Sequence, residues 1–274
     1  LQRPASLTGS LVIINTATSA VERVIPLSDN PSDFDLTADN QFLYVVTQGG
    51  RKMHRIHLED WSTAEKPLPA TPDENHPAVR YRVAAGAGTK VYWVDGQSAP
   101  TLHSMDFATG LETGPPIVPE GTGFGAIARA GDGSSLAAWA QFGWSAGSYG
   151  SKALVVDTSG ASAVPGARGV LLERDPLDTP VITRSGSSSV FMKKYRLSAD
   201  LSTVEVEYPA DVYAATGTPG IVFGAWEAWK ERTLTKVWQA PEGVTANICA
   251  VSGDQSAFFY FNTATGTLVR VAMS

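Results

Sequence analysis

Four histidines, His54, His57, His76 and His103, are the side chains best suited to transfer protons or ligate a metal near neutral pH. Two of them share the segment MHRIH at 53–57, three residues apart. In an extended chain that spacing puts the rings on opposite faces, so they cannot close on one metal ion. The alternation around them reads as an exposed outer strand. His76 lies in PDENHPAV beside Asp73 and Glu74, where it could join an acid–base or metal site or sit in a solvated loop. Asp29, Asp33, Asp35 and Asp39 bring together oxygen ligands of the kind calcium needs. Their D-x-D-x-x-x-D spacing lacks the glycine and terminal glutamate of the helix–loop–helix calcium loop. No metal and no cofactor is expected from these residues.

Nucleophiles are no better placed. GWSAGSYG at 143–150 comes close to the nucleophile-elbow spacing, but no strand-to-helix context follows it. AAGAGTK at 84–90 lacks the leading glycine, the full spacing and the helix of a phosphate-binding loop. The single cysteine, Cys249, lies in an apolar run and reads as a buried, inert thiol; alone it excludes an internal disulfide and a Cys-rich zinc site. No catalytic set is therefore expected. Aromatic residues are the better lead. Trp144 and Tyr149 lie in a Gly/Ser-rich insertion, QFGWSAGSYGS at 141–151, and are expected to bind a ligand, since exposed rings give contact area at low entropic cost. Trp226 and Trp238 are expected to pack between structural elements instead.

The chain has 274 residues, a formal net charge of −6 and only 18% charged residues. With no Lys/Arg stripe, binding to nucleic acid or to an anionic membrane surface is excluded as the main role. No apolar run reaches the 18 residues of a membrane span. Sparse Lys and Glu with Thr/Ser/Gly-rich loops suggest an extracellular or periplasmic setting. The opening LQRPASLTGS reads as a mature end, and the whole of 1–274 as one domain, possibly cut from a larger protein.

The elements that must hold these residues are strands. Short runs rich in Val, Ile, Tyr, Phe and Trp are bounded by Gly/Asn/Asp/Ser clusters. The one segment that could form a short helix is GAWEAWKERT at 224–233, and even there the tryptophans could be strand residues. A turn followed by an aromatic strand recurs six times, at 36–46, 84–94, 128–140, 183–192, 215–225 and 250–261. A second kind of hairpin alternates with it, at 10–27, 53–69, 102–118, 153–170, 195–209, 229–241 and 259–273. Together they predict an all-β chain of four-stranded antiparallel units, each of which buries its faces only by stacking radially on its neighbours. That is a β-propeller, with six blades expected, or seven, and with N- and C-terminal strands joined in one composite blade. The strand at 267–273 is the misfit, since it could replace or duplicate the N-terminal contribution.

The stretch from Ser10 to Val46 carries a family resemblance. Asn30-Pro31 followed by DFDLTADNQFLYVV, with Thr37-Ala38-Asp39-Asn40 and Tyr44-Val45-Val46, resembles the YVTN-type propeller repeat of surface-layer and secreted proteins and of lactonase-type relatives. The NTAT segments at 15–18 and 262–265 resemble that family's turn. The resemblance implies the propeller fold and no particular activity. Its turn residues hold hairpins by tolerating positive φ and bonding the local backbone, so they are not site residues.

In such a fold the innermost strands line a central channel, where Asp35, Arg82, Arg129 and Arg184 would lie. Asp35 could face channel water there, and the arginines would attract anions or pair with Asp35 and serve structure. The functional expectation is a non-enzymatic binding or interaction propeller. Its partner would be a protein or a carbohydrate, contacted by Trp144, Tyr149, Asp35, Arg82, Arg129 and Arg184. The alternatives are a lactonase- or esterase-like hydrolase and a structural surface-layer module.

Overall fold

The computed structural model describes residues 9–47, 52–69, 81–95, 100–118, 123–130, 134–145, 148–160, 164–165, 171–172, 181–183, 189–217, 220–244, 246, 249–252, 254–262 and 265–273; at 130, 141–151, 164–165, 171–172 and 181–183 only the backbone is described. All regular structure among them is β. A hairpin of β1 (Ser10–Asn15) and β2 (Ala20–Pro26) comes first. The next sheet is β3 (Pro31–Leu36), β4 (Phe42–Thr47), β5 (Lys52–His57) and β6 (Thr63–Pro67), followed by β7 (Arg82–Ala85), β8 (Lys90–Val94), β9 (Leu102–Asp106) and β10 (Leu111–Glu112). The third is β11 (Gly123–Ala130), β12 (Ser135–Ser145), β13 (Ser148–Asp157) and β14 (Val164–Pro165), with β15 (Leu171–Leu172) also on β13. Then come β16 (Val181–Thr183), β17 (Val190–Met192), β18 (Tyr195–Leu197) and β19 (Val204–Glu207), and β20 (Val212–Ala215), β21 (Ile221–Gly224), β22 (Glu227–Lys230) and β23 (Lys236–Gln239). The last sheet has three strands, β24 (Cys249–Val251), β25 (Ala257–Asn262) and β26 (Thr267–Ala272).

Every sheet is an antiparallel meander, and the expected inner hairpins are the pairs β3–β4, β7–β8, β11–β12, β16–β17, β20–β21 and β24–β25. Their turns are built as the residue types require. Asp39 Oδ1 accepts from Thr37 Oγ1 at 2.6 Å and from the Gln41 amide at 3.0 Å, and Asn40 takes φ 56°. Ser252, Asp254 and Ser256 repeat this arrangement around Gln255 at φ 58°. The segment 224–233 is strand β22 with its flanking turns and contains no helix.

The sheets stack in series along β3, β7, β11, β16, β20 and β24, each inner strand lying against the next. Strand β8 shows why the runs look continuously apolar. Val91 and Trp93 point into a core shared with Tyr44, Met53 and Phe107, while Tyr92 and Val94 point into one shared with Phe124, Leu136 and Ala138. Both faces of the sheet are buried, so period-two alternation disappears from the sequence. Full burial of one such side chain contributes about 1.5–3 kcal/mol.

The two ends of the chain depart from the expected composite blade. β25 pairs with β26 along its whole length, from Ala257↔Ala272 to Asn262↔Thr267, so β26 takes the place that the N-terminal strand was expected to fill. Among the described residues β1 and β2 form a separate two-stranded sheet. Leu11, Ile13 and Ile25 pack it onto Leu43, Val45 and Ile56 of the β3–β6 sheet.

Candidate functional site

Each sheet turns from its second to its third strand at one and the same end of the stack, because successive meanders run the same way. Phe124, Val212 and Ala246, at the starts of β11 and β20 and just before β24, each donate a backbone bond to the second-to-third-strand turn of the preceding sheet, at Pro100, Lys193 and Ala225, and side-chain bonds show the direction of β3 and β7. Asp33 Oδ2 accepts from the Val83 amide at 3.1 Å and Asp35 Oδ2 from the Ala85 amide at 2.9 Å. A two-residue step on β3 matches a two-residue step on β7, so the strands are parallel.

Three features gather at this end. The first is the insertion at 141–151, which is hairpin and not loop: β12 and β13 stay paired from Gln141↔Ser151 to Ser145↔Ser148, beyond the last pairing of β12 with β11 at Gly123↔Gln141. Trp144 and Tyr149 lie on this extension, with only their backbone described. The second is Trp226, in the turn between β21 and β22, 55% exposed. Its carbonyl accepts from the Ala240 amide at 2.7 Å, and the Ala225 carbonyl from the Ala246 amide at 2.6 Å, so a large exposed ring stands on a fixed backbone. The expectation that Trp226 packs between sheets is thus corrected; a turn position at the sheet's end has no sheet to cover it. Trp238 does pack, against Phe258 and Tyr260.

The third feature is a polar cluster at the β8–β9 turn. Asp95 is fully buried; its Oδ1 accepts from the Thr101 amide at 2.8 Å, its Oδ2 from Thr101 Oγ1 at 3.0 Å, and His103 Nε2 lies 3.1 Å from Oδ2. His103 Nδ1 is 3.1 Å from Glu112 Oε1, and its ring stacks on Trp93, its cross-strand partner, with centroids 5.0 Å apart. Burial pulls the imidazole pKa down, yet the hydrogen bonds that the ring donates to the carboxylates of Asp95 and Glu112 outweigh it and hold the group above its ordinary value. Because the two ring nitrogens face opposite carboxylates, the arrangement pins a turn and cannot chelate. Nothing in the histidine spacing pointed here; the signal was Trp93, Asp95, Thr101 and His103 flanking one short turn.

The inner-strand candidates are brought together in part. Asp35 Oδ2 lies 3.9 Å from Arg129 Nε, and Arg82 acts electrostatically on Asp33. Asp35 does not stand free in channel water. Burial is the largest influence on it and pushes its carboxyl up to about 6 against the opposing pull of the Ala85 amide and Arg129. Asp33 is raised for the same reason. Together the two aspartates satisfy inner-edge amides of β7 that no strand pairs, which supports the structural reading of Arg82 and Arg129. Arg184 and His76 lie outside the described residues.

His54 and His57 do face opposite ways, but β5 is no exposed outer strand. His54 is buried, 3.3 Å from Ser28 Oγ, because β6 and the N-terminal hairpin cover it; burial lowers its pKa. His57 Nδ1 is 2.9 Å from Asp60 Oδ1. The Cys249 thiol is pushed up to about 12 by burial, which makes it a poor nucleophile. Among the described residues no three His, Cys, Asp or Glu side chains converge as metal donors. No helix is long and apolar enough to cross a membrane.

No family model matches the chain, and no curated protein is significantly similar to it. Solved structures are. The chain is similar to the β-propeller domain of Cps50 (Swd1) from Myceliophteria thermophila, at 11% identity and TM-score 0.68, over 98% of this chain and 91% of that one. A chain of a mitotic checkpoint complex matches at 12% identity and TM-score 0.68, over 97% and 82%. A functionally unknown protein from Desulfotomaculum acetoxidans matches at 16% identity and TM-score 0.56, over 97% and 77%. At these identities the likeness concerns the fold alone, and that fold is a β-propeller.

Proposed function

We propose that this chain is a protein-interaction β-propeller that meets its partner at the end of the stack carrying the second-to-third-strand turns. The observation that carries this reading is Trp226, a large ring exposed on a fixed backbone, at the same end as the hairpin extension with Trp144 and Tyr149. Pre-organised aromatic residues lose little entropy on binding and dominate many interfaces. In this reading there are six blades, headed by β3, β7, β11, β16, β20 and β24, with the β1–β2 hairpin seated where the ring meets itself. The propeller is of the YVTN type, in a secreted or cell-surface setting, and its partner is a protein or a glycan. A hydrolase of the lactonase kind is the weaker alternative, because Asp35 and Arg129 already engage one another and the backbone of β7.

The test is an array of glycans, peptides and candidate surface proteins, probed with the wild type, with Trp226→Ala and with residues 142–150 replaced by Asn-Gly. Binding should fall at least about tenfold in both variants, the loss expected when an interface anchor is removed, with unchanged melting temperatures. A partner bound equally well by all three proteins refutes the assignment of this end.

A further inference from the structure

The first two four-stranded sheets, β3–β6 and β7–β10, also meet at the end of the stack opposite Trp226. Every connecting turn of these two sheets at that end, 37–41, 58–62, 86–89 and 107–110, belongs to the described residues. Strand β5 runs out toward it with Met53, Arg55 and His57 on the face turned to the second sheet. Met53 is buried in the core shared with Tyr44 and Phe107. Arg55 and His57, opposite Tyr44 and Phe42, are only half-buried.

The Arg55 guanidinium lies over the Phe42 ring, 4.7 Å from its centroid, and over the Phe107 ring, at 4.8 Å. It also donates to the hydroxyl of buried Tyr44. Rings and a hydroxyl hold the cation in place and leave its charge uncompensated. Among the described residues no carboxylate forms an ion pair with it. The nearby acids are engaged elsewhere. Asp39 caps its own turn. Asp60 accepts from the Ser62 amide and lies 2.9 Å from His57 Nδ1. Asp106 accepts from Thr89 Oγ1 and the Ala108 amide, both at 2.8 Å. Glu59 extends into solvent, 4.0 Å from His57 Nε2. A cavity of about 190 Å3 opens at Arg55, lined also by Phe42, His57, Ser62, Thr63 and Ala64. Its volume is below the roughly 300–1,000 Å3 of sites for drug-sized ligands, so it suits a single ring or a short chain.

We propose that this cavity binds a small organic carboxylate. The carboxylate takes the N–H groups of Arg55 that Tyr44 leaves over, in the paired geometry that a guanidinium offers a planar anion. The carbon skeleton lies against Phe42 and Ala64. A monoanion fits better than a dianion, because Arg55 is the only permanent charge among the described lining residues and Glu59 and Asp60 stand on the adjoining turn. This site lies at the other end of the stack from Trp226, so the two readings stand or fall independently.

The probes are benzoate, its uncharged analogue benzamide, and inorganic phosphate, titrated into the whole chain and followed by amide chemical shifts. Benzoate should saturate with Kd of about 1 mM or below, moving the amides of Phe42, Arg55, His57 and Ser62 to Ala64. Benzamide should bind at least about tenfold more weakly, and equimolar phosphate should not displace benzoate. Arg55→Lys keeps the charge and loses the fork, and should weaken benzoate about tenfold. Trp226→Ala should leave its affinity unchanged. The comparison of benzoate with benzamide on the wild type decides the matter even where a variant at Arg55 fails to fold. Equal binding of the two, no saturation by about 10 mM, or shifts confined to another part of the chain refutes the proposal. Displacement by phosphate marks a general anion site and overturns the carboxylate assignment.

Discussion

Strand β3 has two sides, and they are treated in opposite ways. Toward β7 it turns Asp33 and Asp35, whose carboxylates accept from the Val83 and Ala85 amides. Its other side bears Phe34, which is 61% exposed, and Leu36, which is also exposed. The polar residues are covered and the apolar ones are not. The presence of a neighbour, and not the character of the residue, decides which side is buried. Where β7 supplies unpaired amides, an aspartate is retained despite a desolvation cost that shows in its raised pKa. On the other side the β1–β2 hairpin covers β4 and β5 only, and the inner strand beyond its reach is left open.

The strongest test of this contrast is on the closed side. Trp93 is fully buried between the first two four-stranded sheets, and Trp93→Ala should cost about 3–5 kcal/mol in denaturant unfolding. A loss below about 1 kcal/mol would show that this interface is no tighter than the open one. Asp35→Ala should come next, at about 1–3 kcal/mol, because it leaves the Ala85 amide without its acceptor. The pH dependence sharpens the point. A carboxyl raised in the folded state stabilises fully below its unfolded pKa of 3.8, and that contribution is lost as pH rises through about 6. The melting temperature of the wild type minus that of Asp35→Asn should therefore fall from pH 4 to pH 7, in favour of the variant, and a flat difference contradicts the burial of Asp35. His103 acts in the same sense at higher pH. Its stabilising contribution is present below 6.5 and lost as pH rises through its raised folded value, so His103→Gln should flatten the alkaline limb of the melting curve. The smallest effect belongs to the open side: Phe34→Ser should change stability by no more than about 0.5 kcal/mol in thermal melts.

The inner hairpins were legible because turn chemistry is local. Thr37, Asp39 and Asn40 carry everything their turn needs within five residues, and Ser252-x-Asp254-x-Ser256 does likewise. Continuous apolar runs such as 91–94 were legible as strands because both faces are covered. The destinations of Asp33 and Asp35 were not, since Val83 and Ala85 lie 50 residues away and an amide leaves no mark in sequence. Nor was the exposure of Trp226, which depends on where β21 ends, or the cluster around His103, whose members look unremarkable until β8 and β9 are placed side by side. The misfit at 267–273 was visible as a surplus strand, but its pairing depended on which of two competing segments reached β25.

That pairing has a consequence for how the molecule comes apart. Among the described residues no backbone ladder joins any sheet to the next, the first and last included, so separating two sheets breaks side-chain contacts and single hydrogen bonds and no rung of a ladder. Cooperativity then runs between nearest neighbours. Unfolding under load would start at the β24–β26 terminus and travel inward one sheet at a time, and amide protection would rise from the first and last sheets toward the sheets of β8 and β12.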